Sequence, residues 1–287
     1  MSELQVTSLL ETKTLAVGNV RCAGSCAHRS PSECASGTHV VFPYRGVFVR
    51  HVGMDQAVAD ANHVLFFNSG EEYQISHPIG GGDECLSLVF AEDSLQELTP
   101  PSLLRKSGDI AFRHQHQRID PRAQALVALL RHGMQNGTIE PLEAETLLLA
   151  LLCRSIGPRS SHRPGAGHAK RRLVNRVKLL LATDLCRRWT LGDIAAKIGG
   201  SPVYLTQVFQ QVEGLSLYRY HLRLRLARAL DIVPECEDLS TLALELGFAS
   251  HSHLTVCFRQ TYGRSPSAFR KSLLPSGQRI RSLRQRI

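Results

Sequence analysis

Between Leu191 and Gly263 the chain carries the same helical unit twice, 48 to 49 residues apart. In the first copy Leu191, Ile194, Ala195 and Ile198 precede Gly199; in the second Leu239, Leu242, Ala243 and Leu246 precede Gly247. Both sets follow the i, i+3, i+4, i+7 spacing that lays an apolar stripe along one helix face. Further on, Leu205, Val208, Phe209 and Val212 recur as Leu254, Cys257, Phe258 and Thr261, and each set ends near a glycine, Gly214 or Gly263. Two short helices joined by a tight glycine-containing turn, each with a start signal, outline a helix-turn-helix. A duplicated one points to a chain that reads DNA over two successive turns of the duplex.

Charge supports that reading. The net charge of +9 over 287 residues is unevenly placed. Residues 170–287 hold 20 Lys and Arg against 8 Asp and Glu, a net of +12, whereas residues 1–169 come to −3. Basicity therefore belongs to the half with the duplicated unit, where it favours encounter with phosphates. The chain is long enough for two domains, and no apolar run approaches the ~20 residues of a membrane span. The first 25 residues lack the order of a secretory signal, so a soluble cytoplasmic protein without membrane contact is expected.

The Gly-, Pro- and Ser-rich stretch at 157–169 reads as a flexible linker. Ahead of it, Asp120-Pro121 and Glu140-Pro141 open two helices, the second apolar on every side from Leu147 to Leu152. Such a helix must be buried in its own domain or against a second copy. Residues 38–118 look β-rich: Val40–Phe42, Val47–Val52, Val64–Phe67, Tyr73–Ser76 and Leu86–Phe90 are separated by turn material, indicating a small barrel or sandwich. Gly80–Gly82 reads as a wide hairpin turn, because no GK[ST] follows it.

In the basic half, Leu173, Val177 and Leu180 start a first helix; Thr190 with Asp193 forms a capping box, and Ser201 and Ser250 cap the two reading helices. The outward N-terminal faces then carry Pro202, Val203, Thr206 and Gln207 in one unit, and His251, Ser252, Thr255 and Val256 in the other. A helix from about Ser216 to Val233, bearing Arg219, Arg223, Arg225 and Arg228, joins the units. Arg259, Arg264, Arg270 and Lys271 are expected at phosphates, which position the protein without specifying sequence.

Arg225-Leu-Ala-Arg-Ala-Leu230, Leu242-Ala243, Gly247-Phe248-Ala-Ser-His-Ser-His-Leu254, Phe258-Arg259, Tyr262-Gly263 and Ser265-Pro266 resemble the signature of the AraC/XylS family of transcription regulators. The likeness covers about residues 170–273. It implies an α+β multidomain protein: a cupin-like sensor and dimerisation domain at 1–156, the linker 157–169, a seven-helix tandem helix-turn-helix domain at 170–273 and a basic tail at 274–287. It also implies base reading by the eight outward residues named above, double-stranded promoter DNA and RNA polymerase as partners, activation more often than repression, and a small effector. A homodimer is expected through the 121–155 helices. Val256 stands where many members have a polar or basic residue, leaving apolar contact with a thymine methyl. Phe42-Pro-Tyr-Arg-Gly-Val-Phe-Val49 and the stretch from Asn68 to Asp83 are similar to the cupin-type sensor half.

No His-x-His followed by a spaced Glu lies within the strands, and His114-Gln115-His116 looks like a wet strand end. No cofactor is required. Cys22, Cys26, His28 and Cys34 fall within thirteen residues, with His77 and Cys85 further on; these six are the effector, thiol-redox or metal candidates. Their C-x3-C-x-H-x5-C spacing lacks the C-x2-C knuckle of structural zinc, and loop or core cysteines of a small-molecule sensor remain the plainer reading. Cys153, Cys186 and Cys257 read as small buried hydrophobes.

Enzyme signatures are missing: there is no GxSxG, HExxH, Walker loop or dinucleotide fingerprint. The alternatives are a thiol- or metal-dependent DNA-binding repressor, a methyl-transferring cysteine repair protein, which the missing four-cysteine pattern disfavours, and a structural nucleoid binder with flat sequence preference.

Overall fold

The computed structural model describes residues 4–24, 28–105, 110–157 and 167–273. The chain opens with nine strands, β1 Leu4–Glu11, β2 Leu15–Cys22, β3 Glu33–Cys34, β4 His39–Gly46, β5 Phe48–Val52, β6 Asp55–Ala59, β7 His63–Phe67, β8 Glu72–Ser76 and β9 Asp83–Phe90. Helix α1 (Glu92–Leu98), a 3-10 turn and β10 (His116–Arg118) lead to α2 (Pro121–Gln135) and α3 (Pro141–Ile156). Seven helices follow: α4 His168–Thr183, α5 Leu191–Ile198, α6 Pro202–Glu213, α7 Leu217–Ile232, α8 Leu239–Glu245, α9 His251–Tyr262 and α10 Pro266–Ser272. Helix α4 begins inside the stretch read as linker; residues 158–166 of that linker, the basic tail and Cys26 lie outside the described residues.

Ten strands form two sheets, one ordered β1-β2-β9-β4-β7-β10 and the other β3-β8-β5-β6. Strand alternation assigns the large sheet two apolar faces. Val40, Phe42, Val64, Phe66, Leu86 and Leu88 point to α2 and α3, into a core that includes Leu130, Leu148, Leu151 and Leu152. The intervening Val41, Leu65, Phe67 and Cys85 point to the small sheet. Arg50 fills part of that second layer: its guanidinium is fully buried, lies 4.1 Å from the Phe67 ring centre and bonds the Phe66 carbonyl at 2.6 Å and Glu71 at 3.1 Å.

Two expectations are corrected here. Gly80–Gly82 is no hairpin, because β8 and β9 belong to different sheets; the glycines carry the chain across the edge between layers. Cys153 and Cys186 are exposed, and only Cys257 of the three is buried. Cys153 lies on the solvent side of α3, and Cys186 sits in the loop before α5.

The N-terminal β-rich half and the C-terminal helical half are joined by buried polar groups as well as by apolar packing. Val49 and Val58 of the small sheet meet Leu179 and Ala182 of α4. Beside them Asp60 accepts from Tyr220 of α7 at 2.5 Å and pairs with His63 Nδ1 at 2.9 Å. His63 Nε2 reaches Glu213 at the end of α6 at 3.2 Å, and Glu213 also takes Lys178 of α4 at 3.0 Å. Lys178 is 1% exposed. Burial works against the ionised Glu213 and Asp60, but Lys178 and His63 outweigh it and hold both carboxyls below their ordinary values. A second clasp centres on Asp231 of α7, which pairs with Arg131 of α2 at 2.6 Å and with Arg45 of β4 at 2.9 Å. The C-terminal helical half is thus seated on the β-rich half by charges that neither half could leave unpaired without cost.

Candidate nucleic-acid interface

The caps expected from sequence are present. Thr190 Oγ1 accepts from Asp193 N and the Asp193 carboxylate accepts from Thr190 N, both at 3.1 Å, a reciprocal capping box. Ser201 caps α6 through Tyr204 N at 3.2 Å, and Ser250 caps α9 through His253 N at 3.1 Å. Gly199 and Gly200, at φ +85° and +99°, make the turn between α5 and α6 in backbone space open mainly to glycine. Helices α6 and α9 both end in left-handed glycines, Gly214 and Gly263.

Each reading helix buries one face and presents the other. Leu205, Val208 and Phe209 of α6 pack with Val174 and Val177 of α4 and Tyr220 of α7. Leu254, Cys257 and Phe258 of α9 pack with Leu242, Ala243 and Phe269. Pro202, Val203 and Gln207 are exposed and Thr206 half-buried; His251, Ser252, Val256 and Arg259 are exposed and Thr255 half-buried. Val203 is 67% exposed and Val256 52%, apolar side chains that none of the described residues buries. Thr206 donates back to the Pro202 carbonyl at 2.9 Å, leaving its oxygen to accept. Among the described residues the buried Thr255 hydroxyl has no hydrogen-bond partner, so it is the worst placed of the eight to address a base edge.

Tyr204 was missed in the sequence pattern. It is 48% exposed and shares a ridge with Gln207 and Gln211, at i, i+3 and i+7. Tyr204 was passed over because it looks like another apolar helix residue, although the ridge spacing was there to be read. Helix α7 joins the two units, and its Arg225 makes the link. Arg225 Nη2 donates to the carbonyls of Cys186 at 3.0 Å and Arg187 at 2.7 Å, and its Nη1 to that of Gly247 at 3.3 Å. It therefore fastens the loop before α5 to the turn after α8. A Cβ on Gly247 would stand 2.1 Å from the Cys186 carbonyl oxygen, so only glycine lets the two units approach here. Arg228 pairs with Asp231, and Arg270 donates to the Val233 carbonyl at 2.9 Å; both serve the fold rather than a phosphate. Arg219, Arg259, Arg264 and Lys271 remain exposed.

In the N-terminal half Cys22, His77 and Asp83 converge, with Cys85 Sγ 3.3 Å from Asp83 Oδ2. Asp83 was not among the sequence candidates. Burial and the Asp83 charge push the Cys85 thiol well up, which keeps it a thiol rather than a nucleophilic thiolate. His28 and Cys34 are exposed, and Cys34 sits on β3 opposite Glu72, outside that convergence.

A family model described as a helix-turn-helix domain matches residues 194–272. The "Probable transcription factor PqrA" of Proteus vulgaris is 32% identical over 104 residues, 35% of this chain and 84% of that protein. The chain belongs to the AraC/XylS family of transcription regulators. The Msm operon regulatory protein of Streptococcus mutans is 26% identical over 114 residues, 39% of this chain and 41% of that protein. An AraC-type DNA-binding domain structure from Chromobacterium violaceum is 23% identical, covers 39% of this chain and 100% of that one, and superposes with a TM-score of 0.35. The chain thus spans about two fifths of the Msm regulator's length. Its relatives are regulators, not enzymes. Among the described residues no helix is long and apolar enough to cross a membrane.

Proposed function

We propose that this protein is a sequence-specific DNA-binding transcription regulator whose helices α6 and α9 enter successive major-groove segments on one side of promoter DNA. The observation that carries this is the repeated pair of capped helices, each with one face spent on its core and an outward N-terminal face that no other part of the fold covers. On this reading Gln207, His251 and Ser252 address base edges, Val203 and Val256 meet thymine methyls, and Arg259 holds a phosphate. The cupin-like half at 1–156 takes an effector, and the bound regulator activates transcription through RNA polymerase. A homodimer forms through α3. Helix α2 is covered by α7 and α9 on one side and by α3 on the other, whereas α3 leaves Leu142 76% exposed and Thr146, Ala150 and Cys153 exposed along one ridge.

Equilibrium binding tests the assignment. Gln207→Ala should weaken binding to a specific site by about 1–3 kcal/mol and leave random DNA unaffected. Arg259→Ala should weaken both and lower the salt slope by about one. Footprinting should show two protected groove segments about 34 Å apart. A single protected segment, or two variants that behave alike, would contradict this reading.

A further inference from the structure

We infer that Cys22, His77 and Asp83, with Cys85 as fourth donor, form a binding site for a single divalent transition-metal ion of the zinc class. The inference deepens the regulator reading by naming its effector. Cys22 ends β2 and pairs across the sheet with Asp83, the first residue of β9. His77 directly follows β8. One ligand atom from each of Cys22, His77 and Asp83 lies within 4.8 Å of the other two, and all three residues are buried, at 8%, 6% and 7% exposure. Cys85, 3% exposed, sits two residues beyond Asp83 on the same strand face.

The donor set decides the class of ion. Thiolate, imidazole and carboxylate suit a tetrahedral borderline cation, whereas Ca²⁺ and Mg²⁺ demand oxygen throughout. A His–Asp pair serving only the fold would account for the 2.6 Å contact between His77 Nε2 and Asp83 Oδ1. It would not account for one thiol aimed at the same point and a second bonded to the same carboxylate. The backbone around the cluster is also clamped. Added Cβ atoms would meet Cys22 O at 2.1 Å from Gly82, Gly82 O at 2.0 Å from Gly46, and Gly82 Cα at 2.4 Å from Gly24. Three connections thus close tightly over the donors, as a preorganised site requires. On binding, the thiols release their protons to water as the metal–sulfur bonds form, with no change of oxidation state.

The site adjoins the route to the DNA-binding half. Glu84, next to Asp83, bonds Arg45 at 2.6 Å, and Arg45 bonds Asp231 of α7 at 2.9 Å. Gly80, Gly81 and Gly82 line a crevice whose opposite wall includes Ala182, Leu185 and Leu224 of the helical half.

The test uses the full chain, reduced and stripped with chelator, titrated with Co²⁺ and then Zn²⁺. One equivalent of Co²⁺ should give thiolate-to-metal absorption with tetrahedral d–d bands, and Zn²⁺ should abolish both. Cys22→Ser and His77→Ala should weaken binding by more than the roughly 10–100-fold that follows loss of an outer partner. Cys85→Ser should halve the charge-transfer intensity, and Cys34→Ser should change nothing. Circular dichroism of each metal-free variant checks folding, and if Cys22→Ser does not fold, the halving in Cys85→Ser decides. Absence of thiolate absorption in the wild type, or equal loss in Cys34→Ser, would overturn the inference. Footprinting with and without bound Zn²⁺ separates the outcomes: a footprint without metal binding removes this site and leaves the regulator, and metal binding with no footprint in either state does the reverse.

Discussion

The two helix-turn-helix units share their spacing, their serine caps and their terminal glycines, yet the last residue of each reading helix meets the N-terminal half by a different means. The last residue of α6 is Glu213 and the last of α9 is Tyr262, each just before the left-handed glycine. Both positions turn toward the N-terminal half. Glu213 enters a buried ionic cluster with Lys178 and His63. Tyr262 meets Gln124 of α2 at 3.4 Å, beside an apolar seam in which Ala128 packs with Leu226, Leu254 and Phe258. Duplication accounts for the shape of the units. What each is docked against is carried by residues outside the shared pattern.

The largest break in that comparison is Glu213→Ala. It strands the Lys178 ammonium, 1% exposed, without its carboxylate, which costs about 3–5 kcal/mol. Urea unfolding of the full chain should show that loss. Replacing both partners, Glu213→Leu with Lys178→Met, should recover most of it, because the penalty comes from an unpaired charge rather than from the missing bond. If Glu213→Ala lowers stability by less than about 1 kcal/mol, the first unit is not held ionically.

The pH dependence of stability sharpens the same contrast. Burial and Lys178 push the His63 imidazole down, but Asp60 and Glu213 outweigh them and hold it above 6.5. Its contribution is complete below pH 6.5 and is lost as pH rises through the raised value. His132 of α2 and His221 of α7 shift the other way, each lowered to about 4 by burial first and then by Arg131 or Arg225. Their contribution is present above 6.5 and lost as pH falls toward 4, and the lowered Asp60 and Glu213 carboxyls extend the loss below that. The Tm should therefore peak near pH 6.5 and fall on both sides. His63→Gln should flatten the alkaline limb only; an unchanged alkaline limb would show that His63 does not carry it.

How much of this was legible follows from the kind of signal. The helical half was read almost residue by residue, because apolar period, capping serines and turn glycines are local rules, and Thr190, Ser201 and Ser250 all act where they were placed. Five of the ten described strands of the N-terminal half are legible from β-branched and aromatic runs, but β1, β2 and the short β3, β6 and β10 are not. Strand β1 is an edge with Leu4 and Val6 exposed, so its alternation does not separate core from solvent. The docking residues were invisible for a different reason. Lys178, Glu213 and His63 look like ordinary surface polar residues, and only a contact across 35 residues between Lys178 and Glu213, and 150 between His63 and Glu213, makes them a core. Asp83 carries no metal-ligand spacing of its own in the sequence, because Cys22 of β2, His77 after β8 and Asp83 of β9 meet only in the folded chain.

Cap removal asks whether the units are equivalent in themselves. Ser201→Ala and Ser250→Ala should each cost about 1 kcal/mol by thermal unfolding, since each leaves one backbone N–H of the first turn without its acceptor. Equal losses would mean the units differ only in docking. A loss confined to one would place part of the difference inside the helices.

The smallest effect belongs to Tyr262→Phe. The ring stays, edge-on to Phe258 at 4.7 Å between centres, and only a hydroxyl contact of 3.4 Å is given up. A bond that long is weak, and Gln124 keeps its amide bonds to the Ala61 carbonyl at 2.7 Å and to Asn62 at 3.0 Å. The loss should be at most about 1 kcal/mol, the usual worth of one neutral hydrogen bond. Tyr262→Ala should cost about 3–5 kcal/mol through the cavity it leaves. A small loss for phenylalanine and a large one for alanine would fix the second unit's tether as packing. Equal losses would make its docking polar, like that of the first.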